Sequence, residues 1–200
     1  MKEMWDERFG QEAYAYGKEP NTFFKKTLDA LPKPGRILLP AEGEGRNAVY
    51  AASQGWRVDA FDISTAGRDK ALRLAAKRGV HIHYQIADYQ IADIETGAYD
   101  AVGLIFAHIH ERHRRDVHRR LTTALRPGGT MILEAYSKKQ LKYETGGPPT
   151  EDLLYTVDAL REDFAGLAVV RLEQIETEIR EGKYHHGMAS VIRFVGTREL

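Results

Sequence analysis

The hydrophobic pattern along this chain changes period several times, and those changes divide it into elements. Residues 3–31 place Trp5, Phe9, Tyr14, Phe23, Phe24 and Leu28 at spacings that suit one or two amphipathic helices. Gly17–Asn21 (G-K-E-P-N) interrupts them, and Pro20-Asn21 marks a helix start. Pro32-Lys33-Pro34-Gly35 then separates this helical cap, residues 1–34, from a core at 35–200. The core opens on Ile37-Leu38-Leu39, an apolar run without alternation, as expected of a central parallel strand buried on both faces. Gly43-Glu44-Gly45 follows, then a helix whose apolar positions, Ala48, Val49, Ala51 and Ala52, end before Gly55. The same alternation repeats: strand Trp56–Ile63, a helix capped by Ser64 and running to Arg78, strand Val80–Ala87, and the apolar strand Tyr99–Ala107. A basic helix is predicted at Glu111–Leu125, an R-P-G-G turn at Arg126–Gly129 and a fifth strand at Thr130–Tyr136. A polar loop, Ser137–Thr150, and a helix at Thr156–Phe164 precede two strands, Leu167–Ile179 and Met188–Val195, joined by E-G-K-Y-H-H-G. The pattern predicts a single α/β domain, 1–200. Its Rossmann-like, doubly wound sheet has seven strands, mostly parallel, and closes on an antiparallel hairpin.

Strand, glycine turn and helix together form a nucleotide-binding corner. With Ala48 as its third small residue the turn also fits the dinucleotide pattern G-x-G-x-x-G/A, so a nicotinamide-dependent reductase is one reading. Glu42 and Glu44 argue against it, because a pyrophosphate on this helix terminus would meet two carboxylates. A ligand carrying sulfonium and ammonium groups, S-adenosylmethionine, suits them better. A nucleotide-binding protein without catalysis is the third reading.

The remaining candidates lie at strand ends, where open α/β sheets bind ligands. Asp62 ends the second strand, where an acid can hold a ribose diol. Asp88 ends the third, either accepting from an adenine amine or capping its own loop. His108 and His110 follow the fourth and are candidate proton acceptors. The histidines lack carboxylate or cysteine partners at ligand spacing, so no metal is expected.

Composition narrows the classes. Lys+Arg and Asp+Glu balance at 29 each, so no global field recruits nucleic acid or an anionic membrane. The chain has no cysteine, which excludes a thiolate nucleophile or thiolate metal site. M-K-E-M-W-D-E-R does not read as a secretory leader and no run reaches membrane-spanning length, so the expectation is a cytoplasmic protein, monomeric or homodimeric.

The order of parts resembles the class I S-adenosylmethionine-dependent methyltransferases. The helical cap, the glycine turn, the acids ending strands two and three, the P-G-G turn and the terminal hairpin all correspond. Within the class it is most similar to the small tellurite-resistance (TehB-type) enzymes, which share G-x-G-R-N and an acidic F-D-I-S-like strand end. The chain departs from their pattern at Leu39, where an acid is common, and at Ala41, where a further glycine is. The resemblance therefore moves the amino-group contact to Glu42. It also implies Gly43, Gly45 and Asn47 along the methionyl part, Asp62 and Ile63 at the ribose, Asp88 and Tyr89 at the adenine, and Phe106-Ala107 with His108 under the sulfonium. Tyr14, Tyr16, Tyr136, Tyr143, Arg180, His185 and His186 lie on the elements able to roof this edge and are the candidate contacts to a small-molecule acceptor. A soft sulfur, selenium or tellurium nucleophile is favoured.

Overall fold

The structure is a computed structural model and describes residues 1–199. Its sheet has seven strands in the order β3-β2-β1-β4-β5-β7-β6. These are β1 (Arg36–Pro40), β2 (Arg57–Asp62), β3 (His83–Ile86), β4 (Tyr99–Ile105), β5 (Leu125–Tyr136), β6 (Ala168–Glu181) and β7 (His185–Thr197). The first five run parallel, and β7 pairs antiparallel with both β5 and β6. The order reverses between β1 and β4, so the crevice beyond their carboxyl ends is the topological switch point.

Alternation along the central strands explains the two helical layers. Ile37 and Leu39 of β1, with Ala101 and Ile105 of β4, face a cluster containing Phe23, Phe24 and Leu28 of α2 (Thr22–Asp29). Ala48, Val49 and Ala51 of α3 (Arg46–Ser53) and Ala71, Leu74 and Ala75 of α4 (Thr65–Lys77) complete that layer. Leu38, Val102 and Leu104 point the other way, onto Leu121 and Ala124 of α5 (Glu111–Ala124) and Leu160 of α6 (Val157–Asp163). Both faces of β1 and β4 are thus buried, which is why those strands read as nearly continuous apolar runs.

Several boundaries differ from expectation. The cap holds α1 (Lys2–Phe9) and α2, with an irregular segment from Gly10 to Asn21 that is longer than the predicted break. Strand β3 begins at His83 rather than Val80, because Val80 N–H still bonds Ala75 O at the end of α4. Arg126–Gly129 is not a separate turn. Gly128 N–H donates to Arg198 O at 2.8 Å and Arg198 N–H to Gly129 O at 2.9 Å, so extended pairing starts at Leu125. The terminal hairpin is longer than predicted, and its turn shrinks to Gly182–Tyr184. Among the described residues no helix is long and apolar enough to cross a membrane.

Candidate functional site

Two described non-glycine residues have positive φ: Ala41 at 50° and Phe106 at 52°. Each directly follows a strand that flanks the switch point, Ala41 after β1 and Phe106 after β4. Such conformations persist only where the surroundings impose them. Phe106 N–H donates to Glu134 O at 2.7 Å, and Glu42 N–H to Phe61 O at 3.2 Å, which fixes both bends.

The bend after β1 turns Glu42 inward. Its Oε1 accepts from Asn47 N–H at 2.8 Å and Ala48 N–H at 2.7 Å, and Oε2 lies 3.4 Å from Asn47 Nδ2. Glu42 therefore caps the N-terminus of α3, and burial raises its pKa to about 7 against the pull of those amides. Glu44 is also satisfied internally, by Lys70 Nζ at 2.7 Å and by Ala15 N–H at 2.7 Å. The pair expected to face a cationic ligand instead ties the glycine turn to α3, α4 and the cap.

The two glycines serve different surfaces. A Cβ on Gly43 would lie 3.0 Å from the Phe9 ring, whereas one on Gly45 would lie 2.5 Å from Ala71 Cβ. Gly45 thus admits α4, and the Gly43 surface carries the cap residue Phe9. Asn47 Oδ1 accepts from Asn21 N–H at 2.9 Å, joining the α3 terminus to α2.

Asp62 is buried at the end of β2. Oδ2 accepts from Gly43 N–H at 3.0 Å and Oδ1 from Ser64 N–H at 2.8 Å, while burial raises its pKa. Each oxygen keeps a lone pair, so the carboxylate can still accept from a diol. Ile63, next in the chain, is half-buried. Asp88 Oδ1 accepts from Gln90 N–H at 2.7 Å and Ile91 N–H at 3.1 Å, the loop-capping arrangement left open above. Tyr89 packs edge-on against Phe61 at 5.9 Å.

The two expected proton acceptors are both committed elsewhere. His108 is half-buried, with Nδ1 donating to Leu153 O at 2.7 Å and Nε2 lying 3.4 Å from Tyr136 N. Desolvation lowers its pKa to about 4. His110 caps α5, with Nδ1 accepting from Arg112 N–H at 3.3 Å and Nε2 paired to Asp152 at 2.7 Å. Ala107 O accepts from the Tyr155 hydroxyl at 3.0 Å.

The predicted acceptor set divides in two. Tyr16, Tyr136 and His185 gather around Phe106. Ring centroids of Tyr16 and His185 are 4.4 Å apart, those of Phe106 and His185 4.6 Å, and those of Phe106 and Tyr136 4.7 Å. Arg180 and His186 face each other across β6 and β7 and are exposed; Arg180 pairs with Glu178 of its own strand at 2.8 Å. Strand alternation sends His185 in and His186 out, which removes both exposed residues from the cluster. Tyr14 is tied to α4 by its hydroxyl on Lys70 O at 3.1 Å, and Tyr143 lies beside Glu176.

Polar residues that sequence reasoning passed over hold the cluster together. Asn21 Nδ2 donates to Glu134 at 2.6 Å and to Glu181 at 2.9 Å; Arg46 pairs with Glu181 and Arg193 with Glu134, each at 2.6 Å. Glu134, the lone charge in M-I-L-E-A-Y, was the sequence signal for such a network.

The sheet order, with its glycine turn and strand-end carboxylate at the switch point, is a Rossmann-like fold of the kind that class I S-adenosylmethionine-dependent methyltransferases adopt. Residues 37–129 match the family described as a methyltransferase domain. The chain is 30% identical over 109 residues to the tRNA 5-carboxymethoxyuridine methyltransferase of Escherichia coli K12. That match covers 53% of this chain and 42% of the relative, so the chain matches under half the length of the curated relatives. Among solved structures it is similar to TehB from Haemophilus influenzae, with TM-score 0.73 and 12% identity, over 99% of this chain and 67% of that one. It is also similar to the 1,6-didemethyltoxoflavin-N1-methyltransferase of Burkholderia thailandensis, solved with S-adenosylhomocysteine, with TM-score 0.65 and 17% identity, over 90% of this chain and 79% of that one.

Proposed function

We propose that this protein transfers a methyl group from S-adenosylmethionine to a small-molecule acceptor, a soft nucleophile being favoured. The observation that carries the reading is the pair of strained bends at Ala41 and Phe106, which flank the switch point one strand from the buried carboxylate of Asp62. Asp62 would hold the ribose diol through its two free lone pairs, and Gly43 with the cap residue Phe9 would border the methionyl part. Asp88 and Tyr89 would border the adenine. When bound, the cofactor supplies an electrophilic methyl carbon on a sulfonium. The chain contributes position and dryness: Tyr16, Phe106, Tyr136 and His185 build an aromatic wall at the end of β4, which aligns an acceptor and excludes water. Polarisable rings suit a soft sulfur, selenium or tellurium centre.

A nucleic-acid acceptor is the second reading. It is supported by the E. coli relative, which by its name acts on tRNA, and by Arg112, Arg115 and Arg119, exposed on α5. Calorimetric titration with S-adenosylhomocysteine, NADH and NADPH tests the cofactor. Methyl transfer to small thiols, selenite, tellurite and bulk tRNA then tests the acceptor. Methylation of tRNA alone would replace the small-molecule reading, and preferential NADH binding would remove the methyltransferase.

A further inference from the structure

Four buried side-chain polar atoms in the described structure lack a hydrogen-bond partner, and two of them, Tyr136 Oη and His185 Nδ1, belong to the aromatic cluster. Tyr136 is 0% exposed and His185 6%. Leaving such an atom unpaired costs about 1–3 kcal/mol, so two in one cluster call for a ligand that completes them. They share a roof. In the loop after β5, Gly146 at φ 124° lies against both rings, and Gly147 at φ 94° lies against that of Tyr136. A Cβ on Gly146 would stand 3.2 Å from Tyr136 Oη and 3.2 Å from His185 Cδ2, and one on Gly147 2.9 Å from Tyr136 Cδ2. A Cβ on Gly146 would also meet Tyr184 O at 2.2 Å, so only glycine lets this loop close directly over the two unpaired atoms.

The electrostatics identify the kind of acceptor. Glu181 Oε2 lies 3.8 Å from His185 Nδ1 and is held by Arg46 at 2.6 Å. Glu181, Arg46, Arg8 and His108 act on His185, and Arg8 is half-buried, donating to the Tyr16 hydroxyl at 2.9 Å. Of the two cations, Arg46 is paired with Glu181, and Arg8 is engaged by the Tyr16 hydroxyl. A desolvated anion placed there would meet a carboxylate, whereas a neutral acceptor would not. A proton arriving on Nδ1 would be stabilised by the same carboxylate.

The geometry points to His185 as the group that takes the proton of the methyl acceptor, with the Tyr136 hydroxyl holding the acceptor's heteroatom and a neutral thiol as the acceptor class. The assignment rests on the methyltransferase reading above and chooses within its soft nucleophiles: a thiol that arrives with its proton rather than an oxyanion. The thiol sulfur forms the bond to the methyl carbon as the carbon–sulfonium bond breaks, and that electron pair stays on the cofactor's sulfur. The thiol proton passes to His185 Nδ1, and the imidazolium, beside Glu181, returns it to solvent after the thioether leaves. Burial keeps the His185 pKa below its ordinary value, so the imidazole is neutral and ready to accept at pH 7.

The test compares two acceptors of similar size at pH 7.5: cyclohexanethiol, which is protonated, and thiophenol, which is largely ionised. His185→Gln should lower kcat for cyclohexanethiol by about 100-fold and leave thiophenol within threefold, with S-adenosylhomocysteine affinity unchanged. The exposed neighbour variant His186→Gln should alter neither acceptor. Tyr136→Phe keeps the ring packing and removes one unpaired hydroxyl, so it should raise KM for cyclohexanethiol about tenfold without changing cofactor affinity. Independently of turnover, adding cyclohexanethiol to the S-adenosylhomocysteine complex should shift the His185 imidazole NMR signals and leave those of His186 in place. Equal losses for both thiols, no loss in either variant, or wild-type turnover confined to anionic acceptors would overturn the assignment. If wild-type protein binds no S-adenosylhomocysteine, the methyltransferase reading falls first and this one with it.

Discussion

Glu42→Gln separates the capping role seen in the structure from a contact to the cofactor. The carboxylate is buried, and its folded pKa of about 7 stands above the usual 4.5 because burial outweighs the Ala48 and Asn47 amides. A raised acid pKa contributes stability that is fully present below pH 4.5 and lost as pH rises through about 7. The gap corresponds to about 3 kcal/mol lost between pH 4.5 and 8. Glutamine keeps an oxygen for the two α3 amides and cannot ionise. At pH 5 the variant and the wild type should therefore agree to within about 1 kcal/mol, one neutral cap having replaced another. At pH 8 the wild type should have fallen relative to the variant by about 3 kcal/mol. Urea unfolding at pH 5, 6.5 and 8 on both proteins reads this directly. The difference between the two curves cancels the buried histidines, whose depressed pKa values act on both alike. Affinity for S-adenosylhomocysteine should stay within twofold, since both carboxylate oxygens face α3. A pH-independent difference between the proteins would refute the electrostatic reasoning, and a tenfold loss of affinity would return Glu42 to the cofactor.

Asp62→Asn leaves one oxygen for two backbone donors, so it should destabilise by about 1–3 kcal/mol in urea and weaken S-adenosylhomocysteine at least tenfold by calorimetry. Gly45→Ala drives a Cβ to 2.5 Å from Ala71 Cβ at a φ of 84°, and should cost about 2–4 kcal/mol, seen as a Tm lower by roughly 5–15 °C. Ala41→Gly relieves a φ of 50° at the expense of a more flexible unfolded chain, so a net change between zero and about 1 kcal/mol in favour of folding is expected in the urea midpoint. Tyr16→Ala removes one wall of the cluster and should lower methyl transfer to a small thiol at least tenfold while S-adenosylhomocysteine affinity holds within threefold.

What was legible in the sequence followed from periodicity and local chemistry. The unbroken run at Ile37–Leu39 and the nearly continuous one at Tyr99–Ile105 announce strands buried on both faces, and Ser64 announces the cap it makes with Gly67 N–H at 3.0 Å. Strand-end position brought Asp62, Phe106 and Tyr136 to one edge without any tertiary knowledge. What stayed hidden depended on partners distant in the chain. Nothing near Glu44 announces Lys70 or the Ala15 amide, yet these decide that its charge turns inward. His108 looked like a base because its sequence position is right; a carbonyl 45 residues away occupies Nδ1. Arg180 and His186 were lost for a simpler reason. The sequence pattern leaves the hairpin turn several residues too wide, and without its position the inward and outward sides of the two strands cannot be told apart.

The two strained bends connect these outcomes. With ordinary backbone at position 41, Glu42 would continue the strand direction and present its carboxylate to the open edge, as sequence alone suggested. The left-handed turn directs it under α3 instead, at a cost of about 1–2 kcal/mol that the three bonds to Asn47 and Ala48 offset. At position 106 the same kind of bend has another consequence. It rotates Phe106 out of the β4 register and onto Tyr136 and His185, so the end of β4 contributes an apolar ring where an extended strand would have left backbone polar groups. One bend withdraws a charge from the crevice and the other lines it with aromatic surface. An edge lined with rings in this way suits the proposed transfer of a methyl group, a reaction that depends heavily on alignment and exclusion of water.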